Sequence, residues 1–342
     1  MTRFSVRSES FPLAQTFTIS RGAKTTADVV VVELSRDGCV GRGECVPYPR
    51  YNESVAGTID ALESLRPQVE SDLDGSTTRL SSPKSELAEV RAALQRALPP
   101  GAARNALDCA LWDLEAKLSS RPVYELAGLA APRPLATAYT LSLDDPEIMG
   151  RAAAQHADRP LLKIKLAGRD DLDRVAAIRA NAPDSTLIVD ANEGWSADQV
   201  EPHSAALARL GVALIEQPLP ADQDALLAEF EHPVPFCADE SCHTAADLAE
   251  LASRYECVNL KLDKTGGFSE GLRLAAEARA CGLDLMVGCM IATSLAMAPA
   301  VLLAQQARFV DLDGPLLLQK DREHGLRYEG SLLHLPHPQL WG

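Results

Sequence analysis

From Phe4 to about Cys45 apolar and polar residues alternate in the way of a small antiparallel sheet. Ala27 to Leu34 (ADVVVVEL) is its strongest strand, and Gly38 and Gly41 are placed at turns. A helix-like stretch follows. Within it, Ala106, Leu107, Ala110, Leu111, Leu114 and Leu118 recur as on an amphipathic helix over 102–118. After Pro132 and Pro134 short apolar runs alternate with alanine-rich helical stretches, the rhythm of βα units. Eight strands are expected: Leu135 to Thr140, Leu161 to Leu166, Leu187 to Asp190, Ala213 to Glu216, Phe236 to Asp239, Cys257 to Leu262, Leu285 to Met290 and Phe309 to Asp313. Their even pacing, with room for one helix and two short loops between strands, favours a closed barrel over an open doubly wound sheet. The predicted fold is therefore α/β, a (β/α)7β TIM-like barrel over residues 131–315. Residues 1–130 form an α+β domain, with 316–342 packing back onto it.

Composition narrows the function. At 342 residues, 46% hydrophobic and 24% charged, the chain is ordinary for a soluble globular protein. A net charge of −15 without a basic stripe argues against nucleic acid. No signal-peptide pattern opens the sequence, and no apolar run approaches the ~20 residues of a membrane helix. Eight scattered cysteines without CxxC spacing fit free thiols in a reducing cytoplasm. Gly41-Arg-Gly43 does not continue as GxGxxG, so a dinucleotide site is not expected.

The candidate chemistry sits at the strand ends, which a barrel gathers onto one face. Asp190, Glu216 and Asp239 end three consecutive strands. Each alone could cap the next helix, but three in a row form an oxygen donor set suited to Mg²⁺. Lys163 and Lys165 end the strand before them and Lys261 the strand after, so ammonium groups flank the trio from two sides. Asp311 and Asp313, two residues apart, share a face of the last strand, where a substrate ammonium would neutralise them. An Asp-Gly turn at Asp313-Gly314 is the plainer reading.

In this order, Lys163-Ile-Lys165, Asp190-Ala-Asn192, Glu216-Gln-Pro218, Asp239-Glu240-Ser241 and Lys261-Leu-Asp-Lys264, the chain resembles the muconate-lactonising subgroup of the enolase superfamily over essentially its whole length, which implies that residues 1–130 with 316–342 are a capping domain over the barrel. Asp311-Leu-Asp313 is similar to the pair with which dipeptide epimerases hold a free α-ammonium. Pro99 to Leu114 and Gly43 to Tyr51 look like bacterial L-Ala-D/L-Glu epimerases. The resemblance implies an isomerase, a racemase or epimerase acting on amino acid derivatives, that moves a proton at the α-carbon of the C-terminal residue in murein-peptide metabolism. Asp190, Glu216 and Asp239 would bind Mg²⁺, and Lys165 and Lys261 would be the two bases. Lys163 would contact the substrate carboxylate, with Glu240 orienting Lys261 and Thr140 and Cys289 lining the substrate. A terminal Glu side chain needs a cation from the cap, for which Arg21 and Lys24 are the candidates. Lys24 stands where the family pattern has Arg. The partner is a small dipeptide, and a homo-oligomer stays open. Cycloisomerisation, o-succinylbenzoate formation and N-acylamino-acid racemisation are the rival reactions; a non-catalytic metal-binding barrel is the rival of another class.

Overall fold

A computed structural model describes residues 1–75 and 86–342. The chain opens with an antiparallel sheet of β1 (Arg3–Ile19), β2 (Gly22–Arg36) and β3 (Cys39–Cys45), in that order. Asp37 and Gly38, both with positive φ, make the two-residue turn between β2 and β3. The valine run of β2 is unbroken because both faces are covered. Val30, Val32 and Leu34 pack with Phe4 under the cap helices, while Val29 and Val31 face the other way into the core shared with the barrel.

The cap helices are α1 (Val55–Gly75), α2 (Glu86–Ala97) and α3 (Ala102–Ser119), followed by the single turn α4 (Val123–Leu126). Sequence periodicity suggests that α3 is amphipathic; instead it is enclosed on all sides, lying between the sheet and the barrel. Gly41 is not at a turn. It lies within β3, and a Cβ there would stand 2.3 Å from the Ala110 carbonyl, as one at Gly43 would stand 2.0 Å from that of Ala106. The two glycines let helix and strand backbones touch. At the other side, Gly266 and Gly267, with φ of 75° and 116°, leave room for Arg104 and Asp108.

The barrel sheet is parallel and runs in sequence order through β5 (Tyr139–Leu141), β6 (Leu161–Lys165), β7 (Thr186–Asp190), β8 (Val212–Glu216), β9 (Phe236–Ala238), β10 (Cys257–Leu260), β11 (Asp284–Val287) and β12 (Phe309–Val310). Its ends meet where the Ala138 N–H donates to the Val310 carbonyl at 2.8 Å. The expected first strand is split. Its start, β4 (Leu135–Ala136), pairs with β14 (Leu332–Leu333), itself paired with β13 (Tyr328–Glu329); the chain then crosses at Thr137 and Ala138 into the barrel. Outer helices are α5 (Pro146–Gln155), α6 (Asp171–Asn181), α7 (Ala197–Arg209), α8 (Leu248–Leu251), α9 (Leu262–Thr265), α10 (Phe268–Ala280) and α11 (Ser294–Ala304). Between β8 and β9 the expected α-helix is replaced by a 3-10 segment, Asp224–Glu229. Pro218, Pro220, Pro233 and Pro235 bracket it and hold the chain extended at either end.

Residues after 315 contact both layers. Gln319 N–H donates to the Pro12 carbonyl, Trp341 Nε1 to the Cys109 carbonyl and Gly342 N–H to Asp113. Arg322 binds the buried Glu44 at 2.7 Å, and Glu44 also accepts from Thr293 N–H at the start of α11.

Asp263 is a second buried carboxylate at this seam, accepting from Val46 N–H and Asn105 Nδ2, each at 2.9 Å. Burial pushes its pKa up to about 7. Between about pH 4 and 7 the folded form therefore holds a proton that the unfolded chain releases. Stability falls with rising pH at about 1.4 kcal/mol per unit in that window and no further above it. Asp263→Asn keeps an acceptor for both donors. Urea denaturation at stepped pH is expected to show this slope in the parent and lose that share of it in the variant.

Candidate active site and metal centre

The barrel interior is layered. Ile188, Leu214, Cys237, Cys257, Met286 and Phe309 form an apolar plug. Side chains two residues further along each strand point the same way, and these are Asp190, Glu216, Asp239, Asn259, Gly288 and Asp311. The polar floor of the site is thus the next layer above the plug.

Asp190, Glu216 and Asp239 are almost fully buried and each offers an oxygen within 4.8 Å of the others. Strand register sets Asp190 beside Lys165 on one side and Glu216 on the other. Burial, then the nearby Asp190 charge, pushes the Glu216 carboxyl up to about 7. Asp239 is held well below the carboxylate range: burial opposes this, but Lys261 and Lys264 outweigh it. A cluster in which one carboxylate resists ionising calls for further positive charge. Glu216 Oε2 and Asp239 Oδ1 meet lysine ammonium groups at 2.7 Å yet accept no hydrogen bond. The all-oxygen, closely spaced donor set fits Mg²⁺.

Four lysines surround this floor. Lys165 Nζ lies 2.6 Å from Asp190, and Lys261 Nζ 2.5 Å from Asp239. Lys163 Nζ lies 2.7 Å from both Glu216 and Asp311. Burial lowers the pKa of Lys163 and Lys261, but the facing carboxylates more than offset it and hold both well above the ordinary lysine value. Lys264, absent from the sequence-derived site, lies fully buried, 2.7 Å from Asp239 Oδ1, and donates to the carbonyls of Asp239 and Asn259. Sequence reasoning also passed over Gln217, whose Oε1 accepts from Asp239 N–H at 2.8 Å and whose φ is 37°. Its position directly after Glu216 was the available signal.

One cavity joins these groups to the cap. Lys163, Lys165, Lys261, Asp239, Glu240, Thr140, Cys289, Asp311 and Asp313 line it from the barrel, with Phe17, Ile19, Arg21, Lys24, Tyr48 and Tyr51 from the cap. Asp313 accepts from Thr140 N–H at 2.6 Å, and Thr140 Oγ1 reaches Asp311 at 3.4 Å. Burial and the adjacent Asp311 push Asp313 up to about 7, so the pair is short of a cation. Burial keeps the Cys289 thiol protonated, which makes it a wall of the cavity rather than a nucleophile.

Two expected roles change. Glu240 does not bind Lys261, which turns to Asp239; its carboxylate pairs with Arg21 at 2.7 Å. Arg21 in turn is committed: it also donates to the Asn192 carbonyl at 2.8 Å and lies 3.3 Å from Glu193, which Arg50 grips at 2.6 Å. Lys24 is exposed, its ammonium 4.8 Å from the Tyr48 ring centre.

Comparison with known proteins agrees with this geometry. A model of the mandelate racemase/muconate lactonizing enzyme N-terminal domain matches residues 1–128, and one described as enolase C-terminal domain-like matches 149–338. The chain is 47% identical to the L-Ala-D/L-Glu epimerase of Escherichia coli K12, covering 98% of this chain and all of the relative. It is also 47% identical to an N-acetyl-D-glutamate racemase of a Pseudoalteromonas species, over 92% of this chain and 95% of the relative. A crystal structure of an enolase family member from Agrobacterium tumefaciens, described as homologous to dipeptide epimerases and holding sodium and L-Ala-L-Glu, superposes with a TM-score of 0.93. It is 50% identical, with complete coverage of both chains. With both family models covering most of its length, and a carboxylate trio flanked by lysines at its barrel mouth, the chain belongs to the enolase superfamily.

Proposed function

We propose that the protein is a Mg²⁺-dependent dipeptide epimerase, most at home with L-Ala-D/L-Glu, that inverts the α-carbon of the C-terminal residue. The observation that carries this reading is a single cavity lined by Lys165 and Lys261, by Asp239 of the buried carboxylate trio and by the Asp311–Asp313 pair. Residues 1–130, with 316–342 packed back, serve in it as the cap over the barrel of residues 131–315. A cytoplasmic setting and murein-peptide recycling accompany the reading, and all eight cysteines are free thiols.

Removing an α-proton from a carboxylate leaves an enediolate with two negative charges. Asp190, Glu216 and Asp239 would hold Mg²⁺, which would supply Lewis-acid charge against it. Lys163, at the floor, adds a fixed ammonium on the same side. Lys165 and Lys261 approach from opposite sides; once the facing carboxylate charge is met elsewhere, the one that is a neutral amine takes the α-proton and the other, an ammonium, gives one to the far face, which inverts the centre. Asp311 and Asp313 clamp the dipeptide's ammonium, and Thr140 fixes both carboxylates. Lys24 is the cation for the glutamyl side chain, because Arg21 is held by Glu240 and Glu193. Arg21 and Arg50 then pin the cap loops to the loop after β7.

The similarity to the N-acetyl-D-glutamate racemase supports a second reading, N-acylamino-acid racemisation. Such a substrate has no free ammonium, and the Asp pair would repel it.

In D₂O with Mg²⁺, L-Ala-L-Glu is expected to lose its glutamyl α-proton signal and yield L-Ala-D-Glu, and EDTA to abolish both. Exchange of N-acetyl-glutamate without exchange of the dipeptide would favour the second reading.

Lys165→Met and Lys261→Met should each cut epimerisation about 10³-fold, within the usual range for losing an acid or base. Each variant should still exchange the α-proton of one configuration, a different one for each. Loss of exchange with both configurations in either variant would contradict the two-base scheme.

The Asp pair predicts a pH signature. With Asp313 titrating near 7, the clamp takes up a proton as pH falls through that value, and KM for the dipeptide should rise. Asp313→Asn should raise KM at pH 8 about 10- to 100-fold, the scale of one lost charged hydrogen bond, and flatten its pH dependence. Initial rates across pH 6 to 8.5 read both.

A further inference from the structure

Asn259 is the one uncharged polar side chain in the layer that holds Asp190, Glu216, Asp239 and Asp311, among the described residues. It is fully buried, and its Nδ2 donates to Glu216 Oε1 at 2.7 Å. Its own Oδ1 has no hydrogen-bond partner. A buried acceptor left without a donor works against stability, so packing does not account for an amide here. The neighbouring strand makes room for it. Gly288 holds the corresponding place after β11, and a Cβ there would stand 2.7 Å from Asn259 Oδ1 and 2.8 Å from Nδ2. Its backbone φ is not positive, so the lack of a side chain, rather than an unusual conformation, is what this glycine contributes.

We infer that Asn259 is a positioning residue for the metal centre: it fixes the Glu216 carboxylate so that one oxygen is tied and the other faces the cation. This rests on reading Asp190, Glu216 and Asp239 as the Mg²⁺ ligands. Among the described residues, the Asn259 amide makes the one directional hydrogen bond to the Glu216 carboxylate, at Oε1, while Oε2 meets the Lys163 ammonium at 2.7 Å without accepting a hydrogen bond. Lys264 and Lys261 hold the Asp239 carboxylate, and Asp190 accepts the backbone N–H of Asn192 at 2.9 Å and faces Lys165. A neutral donor suits the position, because it orients the carboxylate without cancelling the charge the metal must meet. An aspartate there would repel Glu216, and a lysine would compete with the cation.

The test is Mg²⁺ binding to the full-length protein, measured by calorimetry with the metal alone, for the parent, Asn259→Leu and Gly288→Ala. Leucine keeps the volume and removes the amide; alanine pushes the amide aside from the next strand. The expected result is an unchanged melting temperature without metal and a 10- to 100-fold higher Kd in both variants, the usual size of an outer-sphere loss. The rise in melting temperature on adding Mg²⁺ should shrink in step. If Asn259→Leu fails to fold while Gly288→Ala folds and binds weakly, the inference stands. Parental affinity in either folded variant, or failure of both to fold, overturns it. A parent protein that binds no Mg²⁺ overturns the metal-dependent function itself, a distinct outcome.

Discussion

Three carboxylates buried within 4.8 Å of one another cannot all stay ionised in a low-dielectric interior without cations. The rest of the architecture answers that constraint. Lys163, Lys165, Lys261 and Lys264 surround the trio, the Asn259 amide orients the Glu216 carboxylate, and the Gln217 carbonyl oxygen holds the backbone N–H of Asp239. The same crowding makes the site useful, because a floor built to accept positive charge also stabilises negative charge that develops on a substrate above it. The lysines feel the balance from the other side: their basicity is set by how much of the carboxylate charge is met elsewhere. Chemistry and stability therefore act on the same atoms.

The cap and the barrel join through polar contacts set in an apolar seam. The backbone of α3 lies against Gly41 and Gly43 on one side, and Gly266 and Gly267 receive its Arg104 and Asp108 on the other. Glu44 and Asp263, each buried, reach across with hydrogen bonds that have a fixed geometry. Apolar packing alone would tolerate sliding; these directional contacts fix the placement of the cap loops over the cavity. Arg21 and Arg50, meeting at Glu193, repeat the device at the mouth.

Much of this was legible in the residues themselves. The βα rhythm located the barrel strands to within a few residues, and charged residues at the ends of apolar strands located the chemistry, because a strand has no packing reason to end that way. What sequence could not show has physical causes. The side-chain partner of Glu240 depends on the cap loop, far away in sequence, so its pairing with Arg21 rather than Lys261 needed three dimensions. Gly41 and Gly288 look like turn or filler residues until the atoms that occupy their missing side-chain volumes are known. Helix α3 carries the pattern of an amphipathic helix, yet its polar residues Asn105, Asp108 and Asp113 are themselves buried and bond Asp263, Ser269 and Gly342 instead of solvent. The split of the first barrel strand was hidden because β14, the strand that captures its start, lies almost two hundred residues away.

That capture bears on what holds the cap in place. β4 pairs with β14, Glu44 binds Arg322, and the Cys109 carbonyl accepts from Trp341. Each parallel barrel strand pairs with the one before it in sequence, while the closing backbone contact, Ala138 N–H to the Val310 carbonyl, spans the whole barrel. The segment after residue 315 instead closes loops of 278 residues to Glu44 and 232 residues to Cys109, which cost the most chain entropy. One short tail thus ties the first sheet, α3 and the start of the barrel together, so loss of that tail would loosen the cap over the reacting groups without touching any of them.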